Sequence, residues 1–368
     1  MTAHRLDSDQ LERQIERWIR PDIQRQKAYP VPSAAGLIKL DAMENPYIWP
    51  EDMRLAWADT LREVALNRYP SAAADELKAD LRARFGLRAE YDLLLGNGSD
   101  EIIQLIMMAV SGPDRVVMAP QPGFVMFRMI AGFLHLDFVG VDLDANFELD
   151  MPKLLQTIEA EQPAVIFLAQ PNNPTGNLWG TEQLRRVIEA APGLVVIDEA
   201  YTAFTEADYL YLLDDYEHLL IMRTLSKVGL AGLRLGVLMG RPAWLEQIDK
   251  LRLPYNINVL TQASARFALD HYDVLAEQTA RICSERERLY KALQALPLEK
   301  VWPSEANFLL VRTPEGRARA WFDQCRAEGV LVKCLDGSHP LLRDCLRLTV
   351  GTPEENAALL AALSTCPA

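Results

Sequence analysis

The stretch "AVIFLAQPNNPTGNLWGTEQLRRVIEAAPGLVVIDEA", residues 164–200, decides the fold class. Two continuous apolar runs, at 164–169 and 194–197, are separated by a turn and a helical pattern. Uninterrupted apolar runs are typical of strands buried on both faces, which occur in parallel sheets covered by helices. Similar runs, "YDLLLG", "RVVMAP" and "LLIMRTL", alternate with helical patterns between about residue 90 and residue 240. The sequence therefore predicts an α/β fold with a largely parallel sheet.

The length and charge of the chain narrow the possible classes of function. A chain of 368 residues exceeds the size at which a single core stops growing, so two domains are expected. The formal net charge of −13 argues against nucleic acid as a partner, because nucleic-acid binders usually carry a basic surface. The N-terminus, "MTAHRLDSDQLERQIERWIR", has no apolar signal segment, and no later apolar run is long enough for a membrane span. We expect a soluble, cytoplasmic protein.

The cysteines and histidines give no sign of a metal site. There are five cysteines, an odd number without CxxC spacing, and five scattered histidines. This pattern favours a reduced compartment over disulfides or zinc.

The hydrophobic pattern divides the chain into three parts. Residues 1–50 combine a predicted amphipathic helix, ended by Pro21, with a proline-rich extended arm. Residues 51–262 contain the alternating strands and helices. Residues 263–368 begin with a long charged helical pattern followed by "NFLLVR", "VLVK" and "CLRLTV", which predicts a smaller α+β domain. We expect the N-terminal arm to pack with this smaller domain.

Polar residues follow several predicted strands, at the edge where open α/β sheets bind ligands. "LLLGNGSDEII", residues 93–103, runs from a strand through Gly96 and Gly98 into a helix that Ser99 can cap, and such a helix start favours a phosphate. A plain strand-to-helix turn gives the same pattern. In "LAQPNNPTGN", Asn173 lies in a turn, and turn formation alone also accounts for it.

A carboxylate and two aromatic residues follow other strands. Asp198 ends the run "LVVI", so its carboxylate would be buried and would need a charged or hydrogen-bonded partner. Tyr201 follows three residues later. A helix-capping role is an equally good interpretation of Asp198 alone. Phe124, after the Pro-Gly turn in "APQPGFVMFR", is by itself more typical of a core aromatic.

The segment "RTLSKVGLAGLRLG", residues 223–236, places Lys227 after an apolar run and before a series of small residues and Arg234. A surface lysine needs no small neighbours, because its ammonium group is stable in water. Small residues let a ligand approach the backbone closely. The segment therefore indicates a lysine that contacts a bound molecule.

In combination these residues match the requirements of a pyridoxal 5'-phosphate site. The phosphate needs amides, a hydroxyl and a guanidinium, and the ring nitrogen needs a carboxylate that keeps it protonated. The aldehyde needs an amine whose pKa is lowered by a desolvated, cationic site. The predicted phosphate ligands are the backbone of Gly98, Ser99 and Asp100 and the side chains of Ser226 and Arg234.

The remaining residues suit the ring and the aldehyde. We expect Phe124 to stack on the ring and Asp198 to bind its nitrogen. Asn173 and Tyr201 can donate to its phenolic oxygen. Lys227 would form the Schiff base with the aldehyde, which explains the small residues around it.

At these residues the chain resembles the fold-type-I, pyridoxal-phosphate-dependent aminotransferases, and among them most closely the histidinol-phosphate aminotransferases. The matching motifs extend from about residue 20 to the C-terminus: "LDAMENPY", "NRYP", "GNGSDE", "PNNPTG", "VIDEAY", "RTLSK" and "CLRLTVGTPEEN". The resemblance implies a large domain with a mostly parallel seven-stranded sheet, a smaller α+β domain and a homodimer. It also implies transamination of L-histidinol phosphate with 2-oxoglutarate in histidine biosynthesis.

The resemblance assigns further residues to the site. Tyr69 would reach the cofactor phosphate of the partner subunit, and Arg347 would bind the substrate carboxylate. Tyr29, in the arm, would close over the substrate, and Asn45 would also contact it. Lys333 stands where the family more usually has an arginine that is thought to bind the substrate phosphate.

The chain departs from the family in a second place, since the interval from Lys227 to Arg234 is one residue shorter than expected.

Three alternatives keep the cofactor residues or the fold but change the function. An aromatic amino acid aminotransferase would prefer a different amino donor. A lyase similar to threonine-phosphate decarboxylase would break a different bond at Cα. A transcriptional regulator built on the same fold would need an added DNA-binding domain, for which the acidic chain has no basic segment.

Overall fold

We analysed a computed structural model of the chain, which describes residues 7–366. It contains two compact units, one that ends at Ala35 and one that begins at Gly36. Residues 1–6 and 367–368, with which the predicted first and last domains begin and end, lie outside the described part. The predicted boundaries near residues 50 and 262 remain a prediction.

The first unit consists of two short helices and an extended segment. Helix α1 (Ser8–Trp18) begins with a capping box, in which Asp7 and Gln10 bond to each other's backbone amides. Pro21 is the first residue of helix α2 (Pro21–Arg25). Proline is favoured at this position, because the first backbone amide of a helix has no hydrogen-bond partner within the helix.

A seven-stranded, mostly parallel sheet forms the centre of the second unit, as predicted. Its strand order is β2-β8-β7-β6-β5-β3-β4, and only β8 runs antiparallel to its neighbours. The strands are β2 (Asp92–Asn97), β3 (Val116–Gln121), β4 (Asp137–Asp142), β5 (Val165–Ala169), β6 (Leu194–Asp198), β7 (Leu219–Thr224) and β8 (Leu235–Gly240).

Both faces of this sheet are buried, which explains the continuous apolar runs. In β6, Val195 and Ile197 belong to one hydrophobic cluster, whereas Leu194 and Val196 belong to another on the opposite face. The helices that flank or connect these strands are α3 (Glu51–Arg62), α4 (Asp75–Phe85), α5 (Ser99–Val110), α6 (Val125–Phe133), α7 (Met151–Glu161), α8 (Thr181–Ala190), α9 (Pro242–Asp249) and α10 (Val259–Asp270).

A smaller α+β part follows the 22-residue helix α11 (Tyr272–Leu293). Its four-stranded antiparallel sheet has the order β12-β13-β10-β9 and packs with helices α12 (Ala318–Ala327) and α13 (Pro353–Ser364). Strand β1 (Ile38–Lys39) pairs in parallel with β11 (Val330–Leu331), so this part of the arm joins the C-terminal region. The other strands are β9 (Lys300–Val301), β10 (Phe308–Arg312), β12 (Lys333–Cys334) and β13 (Cys345–Thr349).

Within residues 7–366 no helix has both the length and the apolar character that a membrane crossing requires.

Candidate active site

A pocket lies where the carboxyl ends of β2, β3, β5, β6 and β7 meet at one edge of the large sheet. Its volume is about 570 Å³ including the mouth, within the range of small-ligand sites. Nine of the predicted cofactor residues line it: Ser99, Asp100, Phe124, Asn173, Asp198, Tyr201, Ser226, Lys227 and Arg234. The remaining lining residues were not predicted: Met43, Ala169, Pro171, Ala200 and Thr224.

Lys227 reaches this pocket from a distorted helical turn, Ser226–Leu230, directly after β7. Gly229 has a φ of 118°, a conformation that only glycine adopts easily, and this residue breaks the turn after the lysine. The Lys227 amine donates a hydrogen bond to the Ala42 carbonyl at 3.2 Å and lies 5.8 Å from the centre of the Tyr201 ring. Burial, and then the charge of Arg347, lower the pKa of Lys227 to about 8. The amine is therefore close to deprotonation at neutral pH.

Asp198 is the last residue of β6 and is 4% exposed. Its carboxylate accepts a hydrogen bond from the Ala200 amide at 3.1 Å and lines the pocket. Burial raises the pKa of Asp198 to about 7, although the hydrogen bond from Ala200 opposes this shift. A buried carboxylate of this kind can bind a cationic group, such as a protonated ring nitrogen.

Asn173 connects Tyr201 with Arg347. Its amide nitrogen donates to the Tyr201 hydroxyl at 3.0 Å, and its oxygen accepts from Arg347 Nη1 at 2.6 Å. Arg347, on β13, is 8% exposed and also donates from Nη2 to the Asp41 carbonyl at 2.9 Å. Burial raises the pKa of Tyr201, so its hydroxyl keeps the proton that it can donate to a ligand oxygen.

The start of α5 forms the cradle predicted for a phosphate. Helix α5 begins at Ser99, with Gly98 as its N-cap at a φ of 79°, and Ser99 does not cap the helix as we expected. The Arg234 side chain lies over Gly98, because a Cβ on this glycine would be 2.5 Å from Arg234 Nη2. A Cβ on Gly236 would be 2.7 Å from the Ser99 amide nitrogen. The two glycines therefore let the Arg234 side chain and strand β8 approach the helix start closely.

Arg234 reaches this cradle despite the short interval from Lys227. It adopts the left-handed conformation, with a φ of 50°, and its Nη2 lies 3.6 Å from Asp100 Oδ2. The other Asp100 oxygen, Oδ1, is buried without a hydrogen-bond partner among residues 7–366. Burial raises the pKa of Asp100, although Arg234 opposes this shift.

Three predicted substrate residues, Asn45, Lys333 and Arg347, lie next to this pocket but do not line it. Asn45 donates to the Val228 carbonyl at 3.1 Å and to Gln278 at 3.0 Å, so it supports the turn that carries the lysine. Lys333 is the direct partner of Arg347 in the antiparallel pairing of β12 and β13. Direct partners project from the same face of a sheet, so Lys333 and Arg347 form a pair of cations on one face.

Tyr69 does not line the pocket of this chain. Tyr69 is 81% exposed and stacks on the ring of Tyr255, with 4.5 Å between the ring centres. Tyr29 is half exposed and lies in the first compact unit.

The main chain of residues 41–43 contributes acceptors that were not predicted from the sequence. The carbonyls of these three consecutive residues accept hydrogen bonds from Arg347, Lys227 and Asn307, respectively. A backbone acceptor leaves no side-chain signal, and only the resemblance of "LDAMENPY" pointed to this segment. Thr224, which bonds with Ser226 at 2.9 Å, could have been identified from its place in "RTLSK".

The donor set fits pyridoxal 5'-phosphate. A helix start with its amides, a hydroxyl and a guanidinium lie together at the pocket, as a phosphate requires, and glycine at 98 permits the close approach of the guanidinium. A buried carboxylate, a donor pair and a lysine with a lowered pKa complete the pocket. This fold and this site are those of a pyridoxal-phosphate-dependent enzyme.

Comparison with known proteins agrees with this class. The sequence matches the profile of the aminotransferase class I and II family over residues 35–363. It is 55% identical to histidinol-phosphate aminotransferase 2 of Nitrosococcus oceani, over 95% of this chain and 97% of that protein. It is 51% identical to the histidinol-phosphate aminotransferase of Chromobacterium violaceum, over 95% and 98% of the two chains.

A solved structure gives the same result. The histidinol-phosphate aminotransferase of Sinorhizobium meliloti in complex with pyridoxal-5'-phosphate superposes with a TM-score of 0.84. It is 26% identical, over 94% of this chain and 96% of that one. The chain belongs to the aminotransferase class I and II family. It is a pyridoxal-phosphate-dependent transferase, which confirms the predicted fold class, enzyme class and cofactor.

Proposed function

We propose that the protein transfers the amino group of L-histidinol phosphate to 2-oxoglutarate, giving imidazole acetol phosphate and glutamate, a step of histidine biosynthesis. The full-length similarity to histidinol-phosphate aminotransferases supports this substrate pair. The structural observation that carries the proposal is the pairing of Arg347 with Lys333 beside the pocket. Two cations on one sheet face suit substrates that bring a carboxylate in one half-reaction and a phosphate in the other.

The proposed cofactor contacts follow the donor set. When bound, pyridoxal 5'-phosphate supplies an electron sink for the charge that develops at the substrate Cα. Asp198 keeps a proton on the ring nitrogen, and Asn173 and Tyr201 donate toward the phenolic oxygen. Phe124 packs against the ring. The phosphate is bound by Ser226, Arg234 and the amides of Gly98, Ser99 and Asp100.

Lys227 has two roles in this proposal. With a pKa of about 8, a large fraction of its amine is neutral near pH 8, so it can bond covalently to an aldehyde. Once the substrate amine has replaced it at the aldehyde, the released Lys227 amine would take a proton from the substrate Cα and return it. The hydrogen bond to the Ala42 carbonyl orients the Lys227 amine when the amine is not covalently bonded.

Arg347 and Lys333 bind different anionic groups of the two substrates. Arg347 offers a planar fork for the carboxylate of glutamate, and its contact with Asn173 couples that carboxylate to the residues around the ring. Lys333 adds a point charge suited to the phosphate of the other substrate. Asn45 supports the lysine turn from the substrate side, and Tyr29 contributes a hydroxyl from the arm.

Substrate selectivity tests this division. Lys333→Ala should reduce kcat/KM for L-histidinol phosphate by about 10-fold or more, the value of one charge-assisted contact, and should affect glutamate much less. Arg347→Ala should impair the glutamate half-reaction at least as strongly. Lys300→Ala, on β9 of the same sheet, is the matched control and should change neither.

The alternative functions predict other outcomes. Equal losses for both substrates in Lys333→Ala would contradict a phosphate-binding role for this lysine. Faster turnover of phenylalanine or tyrosine than of L-histidinol phosphate would indicate an aromatic aminotransferase. Release of carbon dioxide from an amino-acid phosphate, without an oxo-acid product, would indicate a lyase.

We also propose a cytoplasmic homodimer in which Tyr69 completes the site of the partner subunit. Support comes from large apolar side chains at the surface that are close in the chain to Tyr69 or to Tyr255, on which Tyr69 stacks. Leu66, Tyr69 and Leu253 are 70%, 81% and 74% exposed. Such side chains are typical of a protein interface when they cluster.

A further inference from the structure

A buried ion pair crosses the ends of two central strands, outside the pocket. Glu199 and Arg223 are 1% and 6% exposed, and Arg223 Nε donates to Glu199 Oε2 at 2.6 Å. The other Glu199 oxygen accepts from the Tyr209 amide at 2.7 Å. Arg223 Nη2 also lies 3.0 Å from Asp208 Oδ1. Each charge is therefore held from two sides.

This pair lies directly beside the residues that do the chemistry. Glu199 is the residue after Asp198, and Arg223 lies three residues before Ser226 and four before Lys227. The Glu199 amide also donates to the Met222 carbonyl of β7 at 2.7 Å. The ion pair and this backbone bond connect the end of β6 to the end of β7. They fix the spacing between the carboxylate and the amine of the site.

A second cavity borders the strand ends on their other side. Its volume is about 720 Å³, including its mouth, and it is lined by Arg223, Tyr272 and Phe85, among others. Ala200 and Thr224 line both this cavity and the active-site pocket, so the wall between the two is one residue thick. The ion pair therefore adds a side-chain link across this wall to the backbone hydrogen bond between the strand ends.

The pair also affects the charge of the site. Glu199 is one of the groups that raise the pKa of Asp198, and Arg223 is the countercharge of Glu199. Buried ion pairs are seldom more stabilising than apolar residues of equal volume, so stability alone is a weak reason for this one.

We propose that Glu199 and Arg223 are positioning residues, which hold Asp198 and Lys227 at the spacing and charge that the cofactor requires. This inference depends on the proposed roles of Asp198 and Lys227 and is independent of the identity of the amino substrate. A lysine found bound to the cofactor at another position would remove its premise, and that result is distinguishable from the outcomes below.

The test compares two arginines in the full-length enzyme. Arg223→Met removes the buried pair, whereas Arg82→Met removes a pair with Asp92 at the opposite edge of the same sheet, away from the pocket. For each variant we would measure the thermal midpoint, the equilibrium affinity for pyridoxal 5'-phosphate and the pH midpoint of the visible band of the bound cofactor. Other charged groups that act on Asp198 or Lys227 stay unchanged: Asp100, Arg347, Arg234 and Glu44.

We expect both variants to lose thermal stability but only Arg223→Met to bind the cofactor about 10-fold or more weakly and to shift the pH midpoint. Losses of this size are typical when supporting partners of a bound group are removed. Arg223→Lys keeps the charge without the fork, so it should recover part of the affinity. Glu199→Gln should shift the pH midpoint, and it should also lose thermal stability, because glutamine has one acceptor oxygen for the two donors that bond to Glu199.

Two results would overturn the proposal. One is an Arg223→Met enzyme with wild-type affinity and pH midpoint. The other is an Arg82→Met enzyme with the same changes in both. If Arg223→Met does not fold, Arg223→Lys and Glu199→Gln decide the matter, since wild-type affinity and midpoint in both would also contradict it.

Discussion

Asp198 and Lys227 are both buried, and burial acts on a side chain that can be negative in one case and positive in the other. Desolvation disfavours the charged form of each, so the pKa of the carboxyl rises to about 7 and that of the amine falls to about 8. Both groups therefore change protonation near neutral pH, where small changes in their surroundings have large effects. A bound cation beside Asp198 restores its charge, and a neutral Lys227 is the form that reacts with a carbonyl. Burial at the strand ends thus produces both reactive states.

A prediction at this scale concerns stability without cofactor. The pKa of Asp198 is about 7 in the folded chain and near 3.8 when unfolded, so the folded state binds a proton more tightly between these values. The free energy of unfolding should therefore fall as pH rises from about 4 to about 7. Asp198→Asn has no carboxyl group to titrate at this position. Its free energy of unfolding should therefore rise relative to that of the wild type by up to about 4 kcal/mol between pH 4 and pH 7. Urea unfolding of both cofactor-free proteins measures the difference.

Curves for the two proteins that stay parallel between pH 4 and pH 7 would contradict the burial cost assigned to Asp198. The other carboxylates are common to both proteins and cancel in the comparison.

At the scale of elements, helix α5 and the segment after Lys227 form the phosphate cradle together. The helix supplies amides and a favourable dipole, while the segment supplies Arg234, whose guanidinium lies against Gly98. The close approach requires a residue without a side chain at 98. Two unusual backbone conformations follow Lys227, at Gly229 and at Arg234, and Arg234 reaches the cradle over the interval that is shorter than expected.

Gly98→Ala should separate this contact from ordinary backbone strain. A Cβ at 98 would displace Arg234, so the affinity for pyridoxal 5'-phosphate should fall by about 10-fold or more, the value of a charge-assisted contact. Gly86→Ala is the matched control, because Gly86 also has a positive φ at a helix end but no atom within 4 Å of its Cβ position. Both variants should lose stability, about 1 kcal/mol at Gly86 and up to about 3 kcal/mol at Gly98, whose ψ of 170° lies in a region that alanine avoids.

Equilibrium binding of the cofactor to each variant gives the answer. Equal affinities in the two alanine variants would show that Gly98 is needed only for the backbone conformation and not for the approach of Arg234.

At the scale of the whole molecule, Tyr69 does not line the pocket of its own chain. This tyrosine lies at the surface on Tyr255, in a region rich in exposed apolar side chains. A composite site explains both the exposure and the position of Tyr69 in "NRYP". In that arrangement, binding of the cofactor and association of the subunits stabilise each other.

Subunit mixing tests the composite site. Tyr69→Ala and Lys227→Ala variants should each be strongly impaired, but a hybrid dimer would contain one intact site. Equal mixing after subunit exchange should therefore restore about a quarter of wild-type activity, because half of the dimers are hybrids with one site each. Lys227→Ala mixed with Asp198→Ala should restore none, since both residues line the pocket of one chain. Absence of recovery in the first mixture, with exchange demonstrated, would exclude a role across the interface.

The local sequence determined the sheet, the strand ends and most of the pocket. Continuous apolar runs such as "LVVI" can be satisfied only by burial on both faces, so Asp198, the residue that ends one, had to lie at a sheet edge. The same reasoning located Asn173 and Lys227. These signals are local, because a strand and its terminal residue are adjacent in the chain.

Only the tertiary structure decided the contacts between distant segments. Arg347 meets Asn173 across 174 positions, and Lys227 meets the Ala42 carbonyl across 185. The pairing of Glu199 with Arg223 could not be predicted from the sequence, since glutamates and arginines are common near strand ends. The pKa values of Asp198 and Lys227 depend on desolvation by many surrounding atoms. Burial and long-range pairing arise only when the whole chain is packed, so the sequence defined the participants and the fold defined their chemistry.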